Sequence, residues 1–235
     1  MNSICWNITK KCNMNCQYCF REINESDLTI QENIQKLDEL TRLGVRKITW
    51  SGGEPTEYDG IEKLLQLSKQ HGVYNKIVTN ASNLNDEQSY KIFEYLDEVV
   101  FSVDFVDDDL NAEFGRGNNY FKHICDVIRN IQCYYSNCFI GINTVVMKPN
   151  LLCIDKIYNE IKKLKINKWK LIQFSPFRGK ALVNSEYFFI TDAEFNCIKQ
   201  KYEFCNNLFQ IQSHTIVEMQ LKHLIVSPAG MIFNA

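Results

Sequence analysis

The feature that most constrains this chain is a regular alternation of short apolar or β-branched runs with longer amphipathic ones. Strand-like runs fall at 4–9, 46–51, 76–79, 98–104, 139–146 and 168–174, and helical spacing shows at 34–43, 61–71, 87–96, 121–133 and 154–164. Six βα repeats of about 30 residues predict a parallel sheet with right-handed crossovers. Six units are too few to close an eight-unit barrel. The expected fold class is therefore α/β, a partial (βα)6 barrel, with a doubly wound sheet as the alternative. Pro176, Arg178 and Gly179 mark a break. We take 1–174 as the core and 175–235 as a short C-terminal α/β extension packing on it, with a helix at 192–206 and a hairpin of 224–227 with 231–233.

The strands carry a second period, of two. Asn7 and Thr9; Lys47, Thr49 and Ser51; Ser102 and Asp104; Gly141 and Asn143; Lys168 and Lys170 share polar or small faces. Opposite them stand Ile48 and Trp50, Val99 and Phe101, Ile140 and Ile142, Trp169 and Leu171. Strands buried on both faces read as continuous hydrophobic runs, and these do not. The apolar set is expected under helices and the polar set in a wet lumen, with chemistry at the strands' C-terminal ends. A sheet with one solvated face is the competing arrangement.

A chain of 235 residues can bury one large α/β core. A net charge of −2 gives no surface for coating a nucleic acid polymer. No run approaches about 18 uncharged apolar residues, and the first residues lack a basic-then-apolar signal. A cytoplasmic monomer with no membrane partner is expected. Of ten cysteines only three cluster, which in such a chain points to metal or redox chemistry rather than disulfides. The scattered Cys5, Cys125, Cys133, Cys138, Cys153, Cys197 and Cys205 read as reduced small hydrophobes.

Directly after the first strand comes CNMNCQYCF, which spaces Cys12, Cys16 and Cys19 as C-x-x-x-C-x-x-C. A loop of this size can turn three thiolates onto one centre. A [4Fe–4S] cube takes four ligands, so three cysteines leave one iron open to a reactant. Zinc and a redox dithiol are the other readings. Zinc would need a fourth ligand, absent at short spacing, and a Cys16–Cys19 dithiol leaves Cys12 idle.

That triplet, closed by Phe20, resembles the signature of the radical S-adenosylmethionine (SAM) superfamily, and the resemblance covers about residues 3–174. Ser51-Gly52-Gly53-Glu54-Pro55 is similar to its GGEP motif. Two glycines permit close backbone approach, and a carboxylate can accept from an ammonium. The resemblance implies two cofactors, a [4Fe–4S] cluster and SAM. SAM chelates the open iron, an electron donor such as flavodoxin or ferredoxin reduces the cluster, and a 5′-deoxyadenosyl radical takes hydrogen from substrate. It also implies SAM contacts from Phe20, Ser51, Gly52, Gly53, Glu54, Asn80, Ser82, Asp104 and Arg116. Asp104 has a second reading, as the cap of the turn that follows it.

Further stretches, among them KITWSGGEP, TNASNL, INTVV and KWKLIQF, resemble the viperin-like nucleotide dehydratases of antiviral defence. The implied substrate is a nucleoside triphosphate and the implied product its 3′-deoxy-3′,4′-didehydro form. The resemblance implies phosphate-side contacts from Lys47, Asn143, Lys168 and Lys170, and a catalytic or substrate-facing role for His223, which stands where the family has a tyrosine. Gly141 replaces a family lysine, and a family glutamate is missing near His214. Arg178 reads either as a phosphate contact or as a brace for the extension. A radical SAM enzyme acting on a peptide or other small metabolite, and a non-catalytic redox sensor, are the alternative functions.

Overall fold

The computed structural model describes residues 2–21, 26–203, 208–219 and 224–234. Among the described residues nine strands form one sheet: β1 (Ser3–Thr9), β2 (Lys47–Gly52), β3 (Tyr74–Thr79), β4 (Glu98–Ser102), β5 (Phe139–Val146), β6 (Lys168–Gln173), β7 (Gln210–His214), β8 (Leu224–Val226) and β9 (Ile232–Asn234). Their order is β7-β6-β5-β4-β3-β2-β1-β8-β9. The order is linear, so the sheet is a partial barrel that does not close. Every neighbouring pair is parallel except β8 with β9.

The ten α-helices among the described residues are α1 (Ile30–Arg42), α2 (Ile61–Gln70), α3 (Glu87–Tyr90), α4 (Asp108–Glu113), α5 (Tyr120–Tyr134), α6 (Ile154–Ile161), α7 (Gly179–Val183), α8 (Ser185–Phe188), α9 (Asp192–Glu203) and α10 (Ile216–Met219). Helix α1 begins where Thr29 and Glu32 cap each other reciprocally, satisfying N–H groups that the first turn leaves open. Its Leu37 and Leu40 face the core. The helical spacing at 87–96 is realised as α3 followed by a 3-10 turn, Lys91–Glu94, which turns Ile92 and Phe93 inward.

The period-two reading locates the core. Ile48, Trp50, Val99, Phe101, Ile140, Ile142, Trp169 and Leu171 are all buried in one cluster with α1, α2, α5 and α6. Trp6 and Trp50 stack there at 5.2 Å. In a parallel ladder, residues in register point to the same side. Lys76 is paired with Thr49 and Glu98, Gly141 with Lys168, and Asn143 with Ser102 and Lys170. The polar faces therefore form one continuous inner surface.

Residues after 174 add strands at both edges of this same sheet: β7 beside β6, and the β8–β9 hairpin beside β1. Strand β7 has no clear sequence signal. QIQSH holds one strongly apolar residue and none of it is fully buried, as expected at an edge where pairing rather than burial makes the strand. The fourth strand ends at Ser102, short of the expected 104. The Asp104 carboxylate takes the Val145 N–H at 2.7 Å, where a backbone carbonyl would continue the ladder.

Candidate active site

The cysteine loop lies over the C-terminal ends of the strands and is held from several sides. Asn15 and Gln17 donate backbone N–H bonds to Gly115 O (3.0 Å) and Phe114 O (3.2 Å). Gly115 has φ +90°, and a Cβ there would sit 2.4 Å from Asn15 O, so the GRG turn must be glycine at its first position. Ala181 N–H, at the start of the extension, donates to Cys19 O at 3.0 Å. From the β3 side, Asn13 donates to Ser82 Oγ at 2.7 Å, and Asn80 donates to Asn13 Oδ1 at 3.2 Å.

All three cysteines are free and half-buried. Backbone N–H groups of Met14 and Arg21 point at the sulfurs of Cys12 and Cys19, both at 3.4 Å, and Asn80 Nδ2 lies 3.8 Å from Cys12 Sγ. Burial pushes the Cys12 and Cys16 thiols up, while Met14 N–H and Arg21 near Cys12, and Arg116 near Cys16, pull them back. Among the described residues no three His, Cys, Asp or Glu side chains close into a chelate for a single ion. A cluster ligates each thiolate to a different iron, so its cysteines stand further apart than the ligands of one ion. Three thiols in one another's fields, with N–H donors aimed at sulfur, fit an iron–sulfur cluster held at three corners.

The SGGEP turn lies directly beneath. Gly53 N donates to Thr9 O (2.7 Å) and Glu54 N to Lys11 O (2.8 Å). A Cβ on Gly53 would meet Lys11 O at 2.0 Å. The Glu54 carboxylate, 1% exposed, accepts from the Thr79 hydroxyl (2.6 Å), the Thr56 hydroxyl and N–H (2.8 and 3.1 Å) and the Asn80 N–H (2.7 Å). Burial pushes Glu54 upward against those donors. As placed, Glu54 braces the ends of β2 and β3.

Asp104 and Arg116 form an ion pair at 1% and 7% exposure. Arg116 also donates to the hydroxyls of Tyr18 (2.8 Å) and Tyr120 (3.1 Å), and Tyr18 donates to Asp104 at 2.8 Å. The Tyr120 hydroxyl donates in turn to Ser102 O at 2.5 Å. Tyr18 lies inside the cysteine triplet, so this buried network bolts the loop to the end of β4. Asp104 thus neither caps its own turn nor reaches open space. Asp107 caps α4 instead.

At the opposite ends of the strands, Glu98 gathers lysines. Lys76 donates to its Oε1 at 2.9 Å, Lys47 to Oε2 at 3.3 Å, and Lys168 stands 3.9 Å away. Lys47 also lies 4.4 Å over the Tyr74 ring, and Lys168 5.1 Å over the Phe139 ring. Burial and the neighbouring lysines push Lys170 down to about 8. The structure thus brings Lys47 and Lys168 together, with Asn143 and Lys170 in register above them. The sequence reading missed Lys76 and Glu98, yet the alternation that picked out Ser102 reaches Glu98 four residues earlier.

Phe20 stacks on Phe177 at 6.0 Å, and the Arg178 guanidinium lies over both rings. Arg178 lines a small cavity with Asn7, Thr9, Gly52 and Ser227, at the mouth of the lumen. His223 lies outside the described residues. His71 meets Asp38 (3.1 Å) and His123 meets Ala81 O (2.8 Å), both structural contacts.

Residues 6–161 match the model of the Radical SAM superfamily. The chain belongs to that superfamily. Proteins of the radical SAM superfamily use a [4Fe–4S] cluster and SAM, which agrees with the cysteine geometry above. A Flammeovirga pacifica protein named S-adenosylmethionine-dependent nucleotide dehydratase is 30% identical across 99% of this radical SAM chain and 82% of its own length. A Lacinutrix mariniflava protein of the same name is 29% identical across 99% of this chain, which spans 50% of that relative. The Streptococcus suis SuiB structure bound to S-adenosylmethionine superposes with a TM-score of 0.77 at 16% identity, over 98% of this chain and 59% of SuiB, a likeness of fold. Among the described residues no helix is long and apolar enough to cross a membrane.

Proposed function

We propose that this chain is a viperin-like radical SAM dehydratase that converts a nucleoside triphosphate to its 3′-deoxy-3′,4′-didehydro form. The observation that carries the reading is an excess of ammonium groups at the far end of the lumen from the cysteine loop. Lys47, Lys76, Lys168 and Lys170 face Glu98 there, on the same inner surface whose upper rim holds the GGE turn. Five residues separate Lys47 from Gly52, about 16 Å of strand at about 3.3 Å per residue. That depth suits a sugar held near the rim with its polyphosphate reaching down to the lysines.

In this reading Cys12, Cys16 and Cys19 hold the cluster, and when bound the cluster and SAM supply the one-electron chemistry that removes hydrogen from a substrate carbon. The Ser51–Glu54 turn, Asn80 and Ser82 line the seat of the SAM amino-acid end, and Phe20 closes it. Arg116 and Asp104 act as positioning residues through Tyr18. Lys47, Lys168, Lys170 and Asn143 orient the nucleotide, joined by Lys76. Ammonium groups in a partly dehydrated lumen bind phosphate more strongly than they would in water.

The test is to reconstitute the protein anaerobically, reduce it with dithionite or flavodoxin, and supply SAM with CTP, UTP, GTP or ATP. At least one triphosphate is expected to raise 5′-deoxyadenosine formation above the uncoupled rate. If none does, the substrate is a peptide or another metabolite. If SAM is not cleaved at all, the chain is a redox sensor.

A further inference from the structure

Glu98 opens β4 on the lumen face with a side chain only 3% exposed. Its two oxygens already hold three lysines: Lys76 at 2.9 Å, Lys47 at 3.3 Å and Lys168 at 3.9 Å, with the Tyr74 hydroxyl at 3.5 Å. Lys170, two residues further along β6, has no carboxylate partner among the described residues. Three ammonium groups thus share one carboxylate with a fourth beside them, and these five side chains carry a net charge of +3. A buried carboxylate in this position stabilises the lysine group, because it keeps like charges from facing one another unpaired. It also stands where any incoming anion must find its donors. A lysine has three N–H donors on a flexible stem, so it can be shared or handed over without backbone movement.

We propose that Glu98 is a built-in rival of the substrate's phosphates, keeping Lys47, Lys76 and Lys168 converged on its carboxylate and releasing them when a polyphosphate enters. The inference rests on the nucleoside triphosphate reading above and adds a determinant of affinity and chain length to it. A polyphosphate gains the unpaired Lys170 first and still reaches the Glu98 lysines with its remaining groups. A single phosphate cannot do both, and its charge is repelled by the carboxylate it fails to displace. Glu98 therefore sets a threshold on charge and length that favours triphosphates over monophosphates. It also keeps binding loose enough for the product to leave.

Calorimetric titration of the anaerobic holoenzyme with inorganic tripolyphosphate and with orthophosphate tests this. Glu98→Gln is expected to bind tripolyphosphate about tenfold more tightly than the native protein, to gain measurable orthophosphate binding, and to melt at lower temperature without ligand. The double variant Lys76→Gln/Glu98→Gln keeps the native net charge of the lysine group but has no rival. It is expected to bind tripolyphosphate at least as tightly as the native protein, although it has lost a lysine. If Glu98→Gln does not fold, the double variant carries the test. Unchanged or weaker binding by Glu98→Gln, or a tenfold loss in the double variant, overturns the role of Glu98 while leaving the triphosphate reading intact, provided Lys170→Met weakens native binding. If neither the native protein nor any variant binds tripolyphosphate or a nucleoside triphosphate, the reading itself fails and the inference with it.

Discussion

The two ends of the lumen solve opposite problems with charge. At the rim the two buried carboxylates are matched: Asp104 with Arg116, Tyr18 and a backbone N–H, and Glu54 with four donors. Glycines at 53 and 115 let backbone pack on backbone there, where a Cβ would come within 2.4 Å of a carbonyl oxygen or closer. At the floor, Lys170 has no counter-ion among the described residues and three other lysines compete for Glu98. A satisfied network holds one geometry; an unsatisfied one waits for a ligand. In the function proposed above, the rim fixes the cofactor and the floor responds to the substrate.

Asp104→Asn should separate the two ends most sharply. It leaves the buried Arg116 guanidinium without its charge partner, and unfolding free energy should fall by about 3–5 kcal/mol in denaturant titration. A loss under about 1 kcal/mol would erase the contrast. Gly53→Ala comes next. Its Cβ would sit 2.0 Å from Lys11 O, so the turn or the cysteine loop must shift. We expect about 2–3 kcal/mol of lost stability and reduced iron per chain after reconstitution.

At the floor the sign reverses. Lys170→Met should leave stability unchanged or raise it by about 1 kcal/mol at neutral pH, since it removes an uncompensated charge. The pH dependence follows from a pKa pushed down to about 8 in the folded state, below the ordinary lysine value of 10.5. The folded protein holds this proton less well than the unfolded chain does, so the charged form costs stability below about 8. That cost fades as pH rises toward the unfolded value, so the native protein gains on Lys170→Met between pH 8 and 10.5 in paired melting curves. Tripolyphosphate affinity of the native protein falls over the same rise, and the variant lacks that dependence. The smallest effect belongs to Lys47→Met. Lys47 is 40% exposed at the open edge of the floor, so its pair with Glu98 contributes only about 0.5 kcal/mol by thermal unfolding.

The sequence carried the fold through two periodicities, one of about 30 residues and one of two. The first marked the six core strands, and the second assigned Trp50, Phe101 and Trp169 to the apolar face, where all three are fully buried. The rim was legible because its chemistry is local: Cys12, Cys16, Cys19 and SGGEP are contiguous motifs. What escaped is long-range. Tyr18 meets Arg116 across 98 residues of sequence, and Lys47 meets Glu98 across 51. No pattern within one strand reveals such a partner; register does. Likewise β7 exists because β6 offers an edge, not because QIQSH is strongly β-forming.

In the proposed function a nucleotide's ribose sits under the rim and its phosphates on the floor, and isotope transfer reads that placement directly. The native holoenzyme is incubated with SAM, reductant and a nucleoside triphosphate deuterated at the ribose 4′ carbon, and the 5′-deoxyadenosine is analysed by mass spectrometry. Deuterium in the 5′-deoxyadenosine is the expected result. Formation of 5′-deoxyadenosine at an accelerated rate but free of deuterium would contradict it.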